Sequence, residues 1–255
     1  MTVTVFSVPA VILGFPIPGS ENPYLTASTG EARASMEVYE CGKPEMVYDG
    51  PDGIRELLEG FWRRLTGGME LSACARVRLE TRDRMPLSGL YAGLTTALIY
   101  KLAREYGESL DTLEALELAR YADPFYEITS LWPGVVDALR YNVAESGITV
   151  YRNEEEHYRL AEGLLNVGYE GSVRVEDARV TKESVGSDVY SALVHTMGVT
   201  VLEATLRIGD GKPIEEAVAP MIPVHEGIAK AVWGISLDKC MPSPGLPYTV
   251  EKICL

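Results

Sequence analysis

Small residues followed by two hydroxyls make up the most chemically suggestive stretch of the chain, Pro86-Leu87-Ser88-Gly89-Leu90-Tyr91-Ala92-Gly93-Leu94-Thr95-Thr96-Ala97-Leu98. A loop of that composition lets backbone N–H groups approach phosphate oxygens, and the dipole of a helix beginning just beyond it favours negative charge. Pro86, Ser88, Gly89, Leu90, Ala92, Gly93, Thr95 and Thr96 are therefore the candidate phosphate-binding residues, and the bland alternative is a tight loop and helix start with no ligand. Two acids follow, Asp123 ahead of Pro124 and Asp137 in Gly134-Val135-Val136-Asp137-Ala138-Leu139. On their own residues, Asp123 reads as a helix-closing acid and Asp137 as a solvent-facing acid on a helical turn.

The other polar candidates carry less. His195 and His225 fall in helical stretches, where a lone histidine is more often a satisfied packing residue than a catalyst. Glu154-Glu155-Glu156 reads as a solvated helix start. Arg33, Arg140 and Lys230 could clamp an anion, although surface pairing is the commoner use. Cys41, Cys74, Cys240 and Cys254 show no C-x-x-C spacing and, with only three histidines, no zinc pattern. They read as buried thiols, with a Cys240–Cys254 disulfide open to a host that tolerates one.

These residues must be positioned by a chain of 255 residues, 46% hydrophobic and 24% charged, which is ordinary globular composition. A net charge of −14 disfavours nucleic acid and anionic membrane as partners, leaving a small molecule. With no signal-like opening and no long uninterrupted apolar run, the cytoplasm is the expected compartment. Apolar strands and an acidic surface are compatible with a homodimer.

Along the chain, residues 2–13 read as a strand broken at Pro9, followed by a proline-rich loop to Tyr24. Ala32–Tyr39 and Ala73–Glu80 alternate as strands around an amphipathic helix, Ile54–Leu65. A loop from Met85 to Gly93 opens into a helix at Leu94–Tyr106, and a second helix spans Leu110–Tyr121. Val135–Asn142 reads as helix, Ile148–Tyr151 and Ser172–Val180 as strands, Ser187–Ile208 as a long helix, and Ile214–Gly234 as helical pieces broken at Pro220 and Pro223. Pro242–Gly245 reads as a stiffened turn before a strand, Tyr248–Leu255. Strands early and helices later predict an α+β class.

The proline and Gly-Leu of the 86–98 segment resemble the second motif of the GHMP small-molecule kinases, with Tyr91-Ala92-Gly93 where serines usually stand. Gly134-Val135-Val136-Asp137, with Gly147-Ile148-Thr149-Val150 after it, is similar to that superfamily's Gly-x-x-Asp segment and following strand. Ser7-Val8-Pro9-Ala10 through Gly14-Phe15-Pro16, then Ala27-Ser28-Thr29-Gly30, resembles the opening of archaeal pantoate kinases.

The resemblance implies a two-lobed α+β fold with mixed sheets and packed helices, residues 1–152 forming a nucleotide-binding, ribosomal S5-like half and 153–255 an α+β half. It implies ATP and magnesium as cofactors, Asp137 as the catalytic acid that takes or orients the substrate proton, and Asp123 with Thr95 as metal ligands. The implied activity is phosphorylation of a metabolite hydroxyl, pantoate in coenzyme A biosynthesis first. The alternatives are homoserine, shikimate or mevalonate kinase, or a catalytically silent binding protein on the same fold.

Overall fold

The computed structural model describes residues 2–81, 84–128, 132, 134–152, 156–237 and 239–255, the side chain of Glu156 excepted. In chain order the elements are β1 (Thr2–Leu13), β2 (Tyr24–Glu40), β3 (Met46–Asp49), α1 (Arg55–Gly68), β4 (Ala73–Leu79), α2 (Leu87–Glu105), α3 (Thr112–Ala122), α4 (Val135–Glu145), β5 (Ile148–Arg152), β6 (Glu156–Ala161), β7 (Gly168–Arg174), α5 (Lys182–Val185), α6 (Ser187–Gly209), α7 (Ile214–Val218), α8 (Ile222–Trp233), β8 (Met241–Pro244) and β9 (Thr249–Cys254). The α+β expectation holds, and the larger sheet is mixed, since β3 and β4 run parallel among antiparallel pairs, while the three-stranded sheet is antiparallel throughout.

Sheet A runs β3-β4-β2-β5-β6, with β1 along the other edge of β2, and sheet B runs β7-β9-β8. β6 lies beyond residue 152, where the sequence places the boundary between halves, yet it pairs with β5 and completes the first sheet. The acidic run read as a helix start falls largely outside the described residues, and Glu156 itself opens β6.

Pro9 does not break β1. The pairing with β2 shifts register between Val8 and Pro9, and at such a bulge a residue without an N–H is tolerated. The expected strand at 172–180 lies earlier, at Gly168–Arg174.

The largest correction concerns α2, which starts at Leu87 rather than Leu94, so the expected 85–93 loop is mostly helix. Gly89 and Gly93, one turn apart, face β1. A Cβ on Gly89 would sit 2.2 Å from the Pro9 carbonyl oxygen, and one on Gly93 2.2 Å from the Phe6 ring. The glycines read as loop signals serve close helix-to-strand packing instead. Gly89→Ala should therefore overpack against a fixed backbone and lower stability by about 1–3 kcal/mol. Gly93→Ala, which meets a side chain able to turn, should lose less. Urea midpoints for the two variants test this order, and equal midpoints would show that α2 slides freely on β1.

All four cysteines are bonded, as Cys41–Cys74 and Cys240–Cys254, which corrects the reading as thiols. The first pair follows from the β2–β4 register that sets Tyr39 opposite Cys74. α6 is long and apolar enough to cross a membrane by length and composition alone. It packs Tyr190, Met197, Val201, Ala204 and Ile208 inward and leaves Val189, Val199, Leu202 and Leu206 exposed.

Candidate active site

Three helices meet beneath sheet A and bring Thr95, Asp123 and Asp137 together around one buried guanidinium. Arg140, on α4, is 0% exposed at its side chain and holds Asp123 with two hydrogen bonds, Nη2 to Oδ1 at 2.6 Å and Nη1 to Oδ2 at 2.8 Å. Its Nε donates to Thr95 Oγ1 at 3.1 Å, and its Cζ lies 5.6 Å from the ring centroids of both Phe61 and Tyr91. The Tyr91 hydroxyl donates to Asp123 Oδ1 at 2.8 Å, and Thr95 Oγ1 donates back to the Tyr91 carbonyl. Burial works against the charge on Arg140, but the Asp123 carboxylate outweighs it and holds the guanidinium above its ordinary pKa.

This arrangement does not fit the metal role expected for Asp123 and Thr95. Both Asp123 oxygens already accept from a fixed guanidinium, and the carboxylate is buried. A divalent cation would have to displace Arg140 from a buried pocket, against both charge and packing. Arg140 is thus a buried partner rather than the surface cation its sequence suggests. One signal for that lay in the sequence, an arginine three residues after Asp137 in the apolar run Val135–Tyr141.

Asp137 sits on the first turn of α4, which Gly134 opens in the left-handed region at φ 68°. Arg120 Nε donates to its Oδ2 at 2.9 Å, and Arg140 Nη1 lies 3.8 Å from its Oδ1. Burial raises its pKa above the usual carboxylate value, with Arg120 and then Arg140 pulling the other way. It is buried rather than solvent-facing, and it lines a cavity of about 10 Å³ shared with Arg120, Asp123, Trp132, Gly134 and Pro247. That is far below the roughly 300 Å³ at which small-molecule pockets begin.

The N-terminus of α2 is the other half of the site. Pro86 precedes the helix, and the amides of Leu87 and Ser88 point at a carboxylate from the chain itself, that of Glu251 on β9. Ser88 N donates to Oε1 at 2.9 Å and Ser88 Oγ to Oε2 at 2.6 Å. Glu251 is fully buried, and burial pushes its pKa up to about 7 despite these bonds. A phosphate does not fit here while Glu251 is in place. Nothing in the Val250–Cys254 pattern distinguishes Glu251 from an exposed strand acid, and sequence reasoning misses it.

The remaining phosphate candidates divide. Gly89, Leu90, Ala92 and Gly93 lie buried within α2, against β1 and the core. Thr96 faces a separate cavity of about 580 Å³, lined also by Ser7, Ser28, Tyr100 and Ser146, where its buried hydroxyl has no partner among the described residues.

No protein-family model matches the sequence, and no curated protein matches it. Solved structures do match over the whole chain. The structure of L. major mevalonate kinase in complex with R-mevalonate aligns with 100% of this chain and 87% of its own, at 10% identity and a TM-score of 0.61. Streptococcus pneumoniae phosphomevalonate kinase in complex with phosphomevalonate and AMPPNP aligns with 100% and 92%, at 11% identity and a TM-score of 0.58. Mevalonate diphosphate decarboxylase from Enterococcus faecalis aligns with 99% and 88%, at 8% identity and a TM-score of 0.59. The chain has the fold shared by these proteins, two of which are kinases and the third a decarboxylase.

Proposed function

We propose that this chain, built on the GHMP kinase fold, transfers the γ-phosphoryl group of ATP to the hydroxyl of a small metabolite, with pantoate first among the acceptors. Asp137 supports the reading. A buried carboxylate whose pKa is raised by burial and which accepts from Arg120 at 2.9 Å has the chemistry of a group that takes or orients a hydroxyl proton, and the cavity of about 10 Å³ beside it must widen to admit an acceptor. The choice of pantoate rests on the resemblance of residues 7–30 to archaeal pantoate kinases. Homoserine, shikimate and mevalonate are the rival acceptors.

A second reading, the fold kept as a binding protein without turnover, is favoured by Glu251 at the α2 N-terminus and by the Arg140–Asp123 pairing. These leave neither phosphate nor magnesium a seat in this conformation. A cytoplasmic location belongs to the same proposal. Its two disulfides would persist there only in a host whose intracellular proteins keep them, as hyperthermophiles do.

The deciding experiment measures ATP consumption with magnesium over pantoate, homoserine, shikimate and mevalonate. Turnover with one acceptor, falling at least about 100-fold in Asp137→Asn as expected for loss of a general base, supports the kinase. No turnover with any acceptor, together with no thermal shift from ATP, leaves the silent reading.

A further inference from the structure

The turn between β8 and β9 enters the space between Asp137 and the α2 N-terminus and is pinned there from several sides. Pro247 lines the cavity at Asp137, and Leu246 is buried in the cluster that holds Phe6 and Leu90. Trp132 Nε1 donates to the Gly245 carbonyl at 2.9 Å, and His225 Nε2 donates to the Pro242 carbonyl at 2.6 Å. Gly245 packs so closely that a Cβ would lie 3.2 Å from both Glu251 Cδ and Ser88 Cβ. The Cys240–Cys254 disulfide closes the base of the hairpin.

A second observation concerns the same spot. Ser243 and Glu251 are directly opposite partners across β8 and β9, and opposite partners point to the same face of a sheet. The Ser243 hydroxyl is buried on the same face of the sheet as Glu251 without bonding its carboxylate, and it has no hydrogen-bond partner among the described residues. An unpaired buried hydroxyl costs stability, and a ligand that bonds it recovers that cost on binding. The α2 amides, the Ser88 hydroxyl and the Ser243 hydroxyl together make a donor set suited to an oxyanion with more oxygens than a carboxylate offers.

We infer that Glu251 is a built-in occupant of a phosphoryl-binding site made by the α2 N-terminus, Ser88 and Ser243, held in by the disulfide-closed hairpin, so that a phosphate-bearing ligand and Glu251 exclude one another. The inference rests on the proposed kinase reading for what the ligand is, and on this chain's contacts for where it binds. In the conformation described, the hairpin closes both ends of the site at once, with Glu251 at the phosphate end and Pro247 at Asp137. Withdrawal of the hairpin opens both.

The test is calorimetric titration of ATP, and separately of inorganic pyrophosphate, into the full chain at pH 8. Three proteins are compared: the parent, Glu251→Gln, and the double variant Cys240→Ser/Cys254→Ser, which frees the hairpin without altering any group at the site. Both variants are expected to bind each probe at least tenfold more tightly than the parent. Adding Ser243→Ala to Glu251→Gln should take back most of that gain. Equal affinity in the parent and both variants, with folding verified by circular dichroism, overturns the inference. Should Glu251→Gln fail to fold, the cysteine pair decides alone. Tighter binding without turnover on any acceptor would sink the kinase reading and keep the inference. Turnover in the parent with affinities unmoved by the variants would do the reverse.

Discussion

Arg140→Met is expected to destabilise the protein by about 3–5 kcal/mol, because it leaves Asp123 as an uncompensated buried charge. Arg140 packs on the edge-to-face pair of Phe61 and Tyr91, 5.6 Å from each ring centroid, and its fork matches both oxygens of Asp123. Lysine cannot reproduce two parallel bonds to one carboxylate, so Arg140→Lys should recover only part of the loss. Adding Asp123→Asn to Arg140→Met removes the stranded charge, and the double variant should be more stable than Arg140→Met alone. Urea midpoints at constant m test this. A single variant within about 1 kcal/mol of the parent, below the range for breaking a buried pair, would show that water reaches Asp123.

The second large effect is hidden in the parent because two buried groups oppose each other. Burial raises Glu251 from 4.5 to about 7, so the folded state holds a proton that the unfolded state releases, and this stability is present below pH 4.5 and lost as pH rises to about 7. Burial lowers His225 from 6.5 to about 4, so its stability is present above pH 6.5 and lost as pH falls to about 4. Each shift of roughly 2.5 units corresponds to about 3 kcal/mol, and between pH 4.5 and 6.5 the two slopes nearly cancel. Asp137, also raised, adds to the Glu251 direction.

Glu251→Gln should therefore become less stable on acidification from pH 6.5 to 4.5, by about 1.4 kcal/mol per unit. His225→Phe should become more stable over the same interval, from a lower starting value because Pro242 loses its donor. Denaturation midpoints at several pH values would show it. Parallel profiles for the parent and both variants would mean that neither group is buried as described.

Periodicity reveals most of this architecture, and what it misses has identifiable causes. α1, α3, α4, α6 and α8 each carry a helical run of apolar residues bounded by breakers, and they form near where that pattern puts them. α2 starts early because glycine has two uses, and only the approach of β1 shows that Gly89 and Gly93 serve packing rather than a loop. β3, β6 and β8 are short strands with too few residues to show an alternation of their own; β3 pairs with β4 across α1, while β6 and β8 form hairpins with their chain neighbours β5 and β9. At the site, only the family resemblance singles out Asp137, whose own surroundings in the sequence read as a solvent-facing turn, and nothing in the sequence pairs it with Arg120. Tyr91 and Arg140 carry no local mark of the partner they share, Asp123, and Glu251 is recognisable only once β9 is laid against the start of α2.

β2 pairs with β1 along one edge and divides its other edge between two strands. Tyr24–Ala27 pair with β5, and Ala34–Glu40 pair with β4. Sheet A is thus less a plate than a two-stranded spine bearing two leaves, one continuing into β6 and the other into β3. Backbone amides near Leu25–Ala27 and Ala34–Met36, enclosed on both sides, should be among the last to exchange with deuterium, while those of Thr29–Ala32 that face away from β1 exchange sooner. A slow, fast, slow sequence along one strand would mark the place where each leaf can loosen without the other.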